Sequence, residues 1–215
     1  MARTPTGTIT SVATAFAPVK TTTGITNAAE GVVSSTAHGL ANGDIVEITS
    51  GWGRLNKRAF RVKAVTADAF TLEGANTTNT EFYPSGSGGG SVRKATTWIQ
   101  GDRTLNHGTS GGDPKEVTVK FVESDQEFTI NDGFSAVKRT MSMDADMIGT
   151  PFYNALRDLT ETQSDTIIQR RARTGAISLI PGKVALNEDE TEDQGIAVVK
   201  VAVNGNSRTT RYAAP

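Results

Sequence analysis

Cysteine is absent from the 215 residues, so no disulfide framework holds this chain together. That absence fits synthesis in a reducing cytoplasm. Histidine occurs only at His38 and His107. With no thiolate, a zinc site would need both together with carboxylates, and no metal spacing is present. Each histidine reads as structural or solvent-exposed. Aromatics make up 6% of the chain, and Trp52, Trp98 and three Tyr give thin support for a glycan-stacking face. No apolar run is long enough to cross a bilayer as a helix. Residues 1–20 lack an apolar h-region, so no signal peptide is expected. A dominant charge sign is also missing. Lys plus Arg number 22 and Asp plus Glu 23, a net charge of −1. This balance argues against a chain that grips nucleic acid by neutralising phosphates. It also removes self-repulsion and so permits self-association.

What the chain does hold is β chemistry. Glycine is frequent at 22 residues, β-branched residues abound, and helix-forming runs are scarce. The chain is long enough to bury a core as one large domain or two small ones. An alternating patch at Ile9, Val12 and Phe16 predicts a first strand, followed by a loose segment at residues 20–24. Residues 28–95 read as an inserted small β module within a main β domain formed by 1–27 and 96–215. Its strands start at Val32-Val33, Ile45-Val46, Phe60-Arg61-Val62 and Phe70-Thr71-Leu72, with period-two alternation. The turns Ala37-His38-Gly39-Leu40, Asn42-Gly43-Asp44 and Ser50-Gly51-Trp52-Gly53 separate them. Gly86-Ser87-Gly88-Gly89-Gly90-Ser91 reads as a flexible linker, because no Lys-Ser or Lys-Thr follows to make a phosphate loop.

Beyond residue 96 the alternation resumes. Val117, Val119 and Phe121 share one face of a strand expected over 117–123. A long amphipathic strand is expected over 137–147, with Val137, Met141 and Met143 on one face. Lys138, Thr140, Ser142, Asp144 and Asp146 lie on the other. Strands at 167–173, 177–180, 184–186 and 196–203 follow, with a turn or bulge at Pro181-Gly182. One helix interrupts them. Thr150 can cap it and Pro151 suits its first position. Phe152, Ala155, Leu156 and Leu159 then form an apolar stripe, predicting Phe152, Leu156 and Leu159 as the helix core.

No catalytic pattern emerges. No G-x-S-x-G elbow is present. Asp144 and Asp146 could serve as paired carboxylates only within a cleft at a set separation. The acidic run at residues 188–193 lacks the calcium-loop pattern and reads as a solvated, mobile loop. It could also face a basic patch between subunits. Candidates are Arg170, Arg171 and Arg173, or Arg54, Lys57, Arg58 and Arg61.

Several segments, taken in order, resemble the major tail tube proteins of long-tailed, siphovirus-like bacteriophages. These are Gly7-Thr8-Ile9, Ala15-Phe16-Ala17, the stretch from His38-Gly39-Leu40 to Arg58, and residues 88–94. Ser110-Gly111-Gly112, the strand at 117–123 and Arg211-Tyr212 complete the likeness. The resemblance implies a mainly β fold: a tail-tube-type β sandwich or barrel with one flanking α-helix. It implies a structural virion protein of the tail, assembled in the host cytoplasm, with no enzymatic activity and no cofactor. Its partners would be copies of itself, as hexameric rings stacked into a tube for genome delivery. A tape-measure protein, tail-tip proteins and tail-terminator proteins would complete the set. DNA would pass through without specific binding, and nothing would insert into a membrane. A duct for DNA should repel phosphates, so Asp144 and Asp146, with Glu123 and Asp125, are candidates for an acidic lumen. The alternative is a tail-tip or baseplate module that binds glycans. A hydrolase built on Asp144 and Asp146 is a remote third reading.

Overall fold

The computed structural model describes residues 6–214; the first five residues of the leader reading lie outside this range. The first half of the chain supplies β1 (Ile9–Phe16), β2 (Lys20–Thr22), β3 (Gly24–Ile25), β4 (Val32–Ser34), β5 (Ile45–Ser50), β6 (Arg58–Lys63), β7 (Ala69–Leu72) and β8 (Gly90–Gly101). The second half supplies β9 (Thr104–Ser110), β10 (Pro114–Val119), β11 (Phe128–Phe134) and β12 (Lys138–Asp144). A 3-10 turn (Ala145–Met147) and α1 (Pro151–Thr162) follow, then β13 (Asp165–Arg171), β14 (Ile177–Asp193), β15 (Ile196–Gly205) and β16 (Thr210–Tyr212).

The fold is mainly β, as the composition predicts. One antiparallel sheet runs β3-β4-β7-β6-β5-β8-β1-β13-β14-β15-β12-β9 and curls on itself. β2 and β16 add to its flank, while β10 and β11 pair only with each other. β8 joins the two ends of the chain's story: Ser91, Val92, Arg93 and Lys94 pair with β5, and Ala95 to Gly101 pair with β1.

Three apolar clusters result. The first fills the main sheet with Val12, Met143, Phe152, Leu156, Ile168 and Val199 among others, with α1 packed across it. Thr150 caps α1 by accepting the Tyr153 N–H, and Gln163 ends it in a left-handed conformation. Phe152 and Leu156 are buried, and Leu159 packs at the edge of the same cluster. The second cluster lies wholly between Ile25 and Val92 and centres on Trp52, Phe60 and Phe70. The third is a seam where Ala13, Ile45, Ala59, Ala95, Ile167, Leu179 and Tyr212 meet.

Several local expectations change. The loose segment at residues 20–24 forms β2 and β3, because β8 and β4 offer it edges to pair with. The Gly86–Ser91 stretch is packed and does not behave as a linker. Trp52 donates from Nε1 to the Pro84 carbonyl at 2.8 Å and to Ser87 Oγ at 3.0 Å. A Cβ at Gly90 would overlap the Thr49 carbonyl, so glycine lets two strands approach. Pro181-Gly182 does not break the chain, and β14 runs straight through it. Pairing with β16 stops at Leu179 and pairing with β15 starts at Gly182. Pro181 sits in that gap, where a missing N–H removes no ladder bond on that side. The strand expected over 137–147 ends at Asp144, and Asp146 lies in the 3-10 turn instead. The strand expected over 117–123 ends at Val119, and Phe121 to Gln126 turn back toward β11.

Candidate assembly interface

No catalytic constellation forms from the candidate residues. Among the described residues, no group of three or more His, Asp or Glu could hold a metal ion. His38 is buried; its Nδ1 accepts the Leu40 N–H and its Nε2 lies 3.0 Å from the Thr66 carbonyl. Trp52 is 1% exposed and offers no stacking face to a glycan. Surfaces that could receive other protein chains are better developed.

The proposed acidic set comes from two places. Asp144 ends β12, and its side chain accepts the Asp146 N–H at 3.0 Å, which starts the 3-10 turn. Arg103 Nη1 stands 3.6 Å from Asp144 and 3.7 Å from Asp146, so one cation offsets part of their charge. Glu123 and Asp125 are exposed in the turn between β10 and β11. The two pairs therefore belong to separate elements.

That β10–β11 hairpin carries the most exposed apolar side chains. Val122 is 98% exposed and Phe121 57%. Val117, Phe128, Ile130 and Phe134 are also exposed. Phe121 and Phe128 rest against each other at 5.4 Å between rings, and Arg208 lies over Phe134 at 4.2 Å. An isolated two-stranded hairpin gains little from its own contacts. Apolar side chains left in water on such an arm make it a candidate surface for another chain.

The basic residues divide into two groups. Around the seam they are paired within the chain. Glu47, 2% exposed, accepts from Arg93 at 2.9 Å and lies 3.6 Å from Lys57 Nζ. Arg61 forms a two-pronged ion pair with Glu73, which holds that carboxyl below its usual range chiefly through this hydrogen bond. The Tyr212 hydroxyl accepts the Arg61 N–H at 2.7 Å, and burial pushes its pKa up to about 12. Arg58 donates to Thr210 Oγ1 at 3.2 Å. The basic set Arg54, Lys57, Arg58 and Arg61 is thus mostly spent inside the fold.

The second group was only partly legible. Arg139, on β12, is 3% exposed, and its neighbours are Arg170 on β13, Arg211 on β16 and His107 on β9. Burial first, then Arg170 and Arg211, lowers the Arg139 pKa to about 10. Burial first, then the two arginines Arg170 and Arg139, lowers His107 to about 4. Arg170 alone was a sequence candidate; Arg171 and Arg173 are exposed outside the groove lining. Alternation puts Arg139 on the strand face of Val137, Met141 and Met143, and nothing local in sequence joins it to residues 107, 170 and 211. Pairing does so, since β12 bonds to β9 on one side and the sheet curls back toward β14 and β16.

Comparison with known proteins gives the family. The family model described as phage tail tube protein, TTP, matches residues 50–214, from the end of β5 through β16. None of the curated proteins matches. Among solved structures, a chain of the cryo-EM structure of the anti-feeding prophage cap (AFP tube terminating cap) is similar at 17% identity and a TM-score of 0.32. That alignment covers 50% of this chain and 79% of the other. The family match spans well over half of this mainly β chain, and this chain belongs to the phage tail tube protein family.

Proposed function

We propose that this structural tail protein closes into hexameric rings that stack into a hollow tube. The tube surrounds a tape-measure protein during assembly in the host cytoplasm and later conducts the genome. Tail-tip and tail-terminator proteins bound its two ends. The role is structural rather than enzymatic. One observation carries this reading: the β10–β11 hairpin holds six large apolar side chains in water, and a neighbouring copy would cover them. The free edges at β3 and β9 add to it, since unpaired edges invite strand-to-strand association. Electron microscopy and light scattering of purified protein test it. Rings or tubes are expected at high concentration, faster with a tail-tip seed. Monomers under both conditions refute it.

Residues 28–95 form an inserted module in this reading. The cluster between Ile25 and Val92 supports a core of its own, while the seam and the shared strand β8 tie it to the main body. Deleting residues 28–91 with a short linker should leave a soluble fold with an exposed seam. Complete loss of folding refutes the division.

Asp144, Asp146, Glu123 and Asp125 line the bore in the same reading. Repetition around a ring would multiply their negative field, less the contribution of Arg103. Asp144→Lys with Asp146→Lys should make assembled tubes retain DNA at low salt. Tubes that release DNA like the wild type place these acids elsewhere.

A further inference from the structure

The groove around Arg139 is about 320 Å³ and is lined by Thr8, Thr109, Arg170, Ser178 and Arg211. Arg139 donates from Nη2 to Ser178 Oγ at 3.2 Å. Its Nε and Nη1 are buried without a hydrogen-bond partner among the described residues, as are Arg170 Nε and His107 Nδ1. No carboxylate lines this groove, and none of its arginines enters an ion pair among the described residues. Three guanidiniums therefore line this groove, with the His107 imidazole near Arg139 and Arg170, and a buried positive charge lacks its counter-charge. Such a charge is tolerated when a partner brings acceptors to it. Burial first, and then the neighbouring arginines, lowers the pKa of both Arg139 and His107.

The matching negative charge lies at the other end of β14. Ser178 is near its start, and the acidic run occupies its end. In that run the Tyr153 hydroxyl donates to Glu188 and the Asn106 side-chain amide to Asp193. Asp189, Glu190 and Glu192 are exposed and enter no ion pair among the described residues. Ser178 and Glu190 are separated by ~40 Å of extended strand at ~3.3 Å per residue, so the two charges belong to opposite poles of one element. We propose that the β14–β15 tip of one copy inserts the carboxylates of Asp189, Glu190 and Glu192 into the Arg139–Arg170–Arg211 groove of a second copy. The occupant is a second copy because the chain carries both halves of the pair, and bidentate guanidinium–carboxylate bonding would satisfy the orphaned donors. A contact between unlike patches is head-to-tail, the kind that closes rings or extends filaments. This inference rests on the self-assembly reading and names one of its contacts.

Two experiments decide it. The tip variant Asp189→Asn, Glu190→Gln, Glu192→Gln changes exposed side chains only, and the groove variant Arg139→Met, Arg170→Gln removes the converging charge. Each should raise the concentration needed for assembly by roughly tenfold or more, with the monomer still folded by circular dichroism. Independently, the cysteine-free chain allows single-cysteine probes. Differently tagged Thr8→Cys and Glu190→Cys proteins, mixed and oxidised, should yield a disulfide between unlike tags, which no single chain can produce. Tubes from the tip variant at wild-type concentration, or probes that never join unlike tags within assembled tubes, overturn this contact and leave the assembly reading standing. Wild-type protein that stays monomeric overturns both. If inorganic phosphate raises the wild-type Tm while the tip variant assembles normally, the groove takes a free anion and the contact is overturned.

Discussion

Between Ile25 and Val92, alternating strands close over Trp52, Phe60 and Phe70, and scarcely an apolar side chain is left in water. Between Pro114 and Phe134, two strands with similar alternation pair only with each other and expose both faces. The sequences are comparable in pattern; the difference is in what lies opposite. The first region has turns such as Trp52–Asn56 and the Gly88–Gly90 approach that fold strands back over one another. In the second, among the described residues, β10 and β11 pair with no other strand. Alternation specifies an apolar face, and only neighbouring elements decide whether that face is covered within the chain or waits for another copy.

The contrast can be broken first at its sealed side. Trp52→Ala should cost ~3–5 kcal/mol, because the indole is fully buried, hydrogen-bonded to Pro84 and edge-on to Tyr83 at 5.2 Å. Chemical denaturation measures it, and a loss under ~1 kcal/mol would mean this region contributes no true core. In the main body, Leu156→Ala should cost ~2–5 kcal/mol, since α1 seats that side chain at 0% exposure against the sheet. Similar losses at the two sites would make the clusters equals. A much smaller one at Leu156 would put the helix on the surface.

Acidification probes His107, near the groove arginines Arg139 and Arg170. The folded chain holds His107 near 4, below its ordinary 6.5, so the unfolded chain binds the proton first. Stability should therefore fall as pH drops from about 6.5 toward 4, and His107→Gln should flatten that part of the profile. An unchanged slope would place His107 in water.

The smallest effect on the monomer belongs to the bare hairpin. Phe121→Ser, Val122→Ser and Phe128→Ser should each change monomer stability by less than about 0.5 kcal/mol, because little is lost that was not already exposed. The same changes should suppress ring and tube formation in light scattering. Losses of several kcal/mol in the monomer would show the hairpin folded against the body, and the comparison would collapse.

The sequence alone determined the β class, α1 with its Thr150 cap and Pro151 start, and most strand positions before residue 80, since period and capping are local. It also gave the family through ordered short segments. The acidic run reads as a mobile loop, whereas residues 188–193 are the end of strand β14, held by pairing with β15. Only the tertiary structure decided which faces are sealed. It turned the glycine stretch at residues 86–91 into a packed strand entry, moved Asp146 off its strand, and carried β14 through Pro181. It also gathered Arg139, Arg170 and Arg211 from three separate strands into one groove without a carboxylate, with His107 near Arg139 and Arg170. The physical reason is common to all of these. Burial, close approach and charge balance are properties of what packs opposite a residue, and sheet curl brings together positions that no spacing along the chain connects.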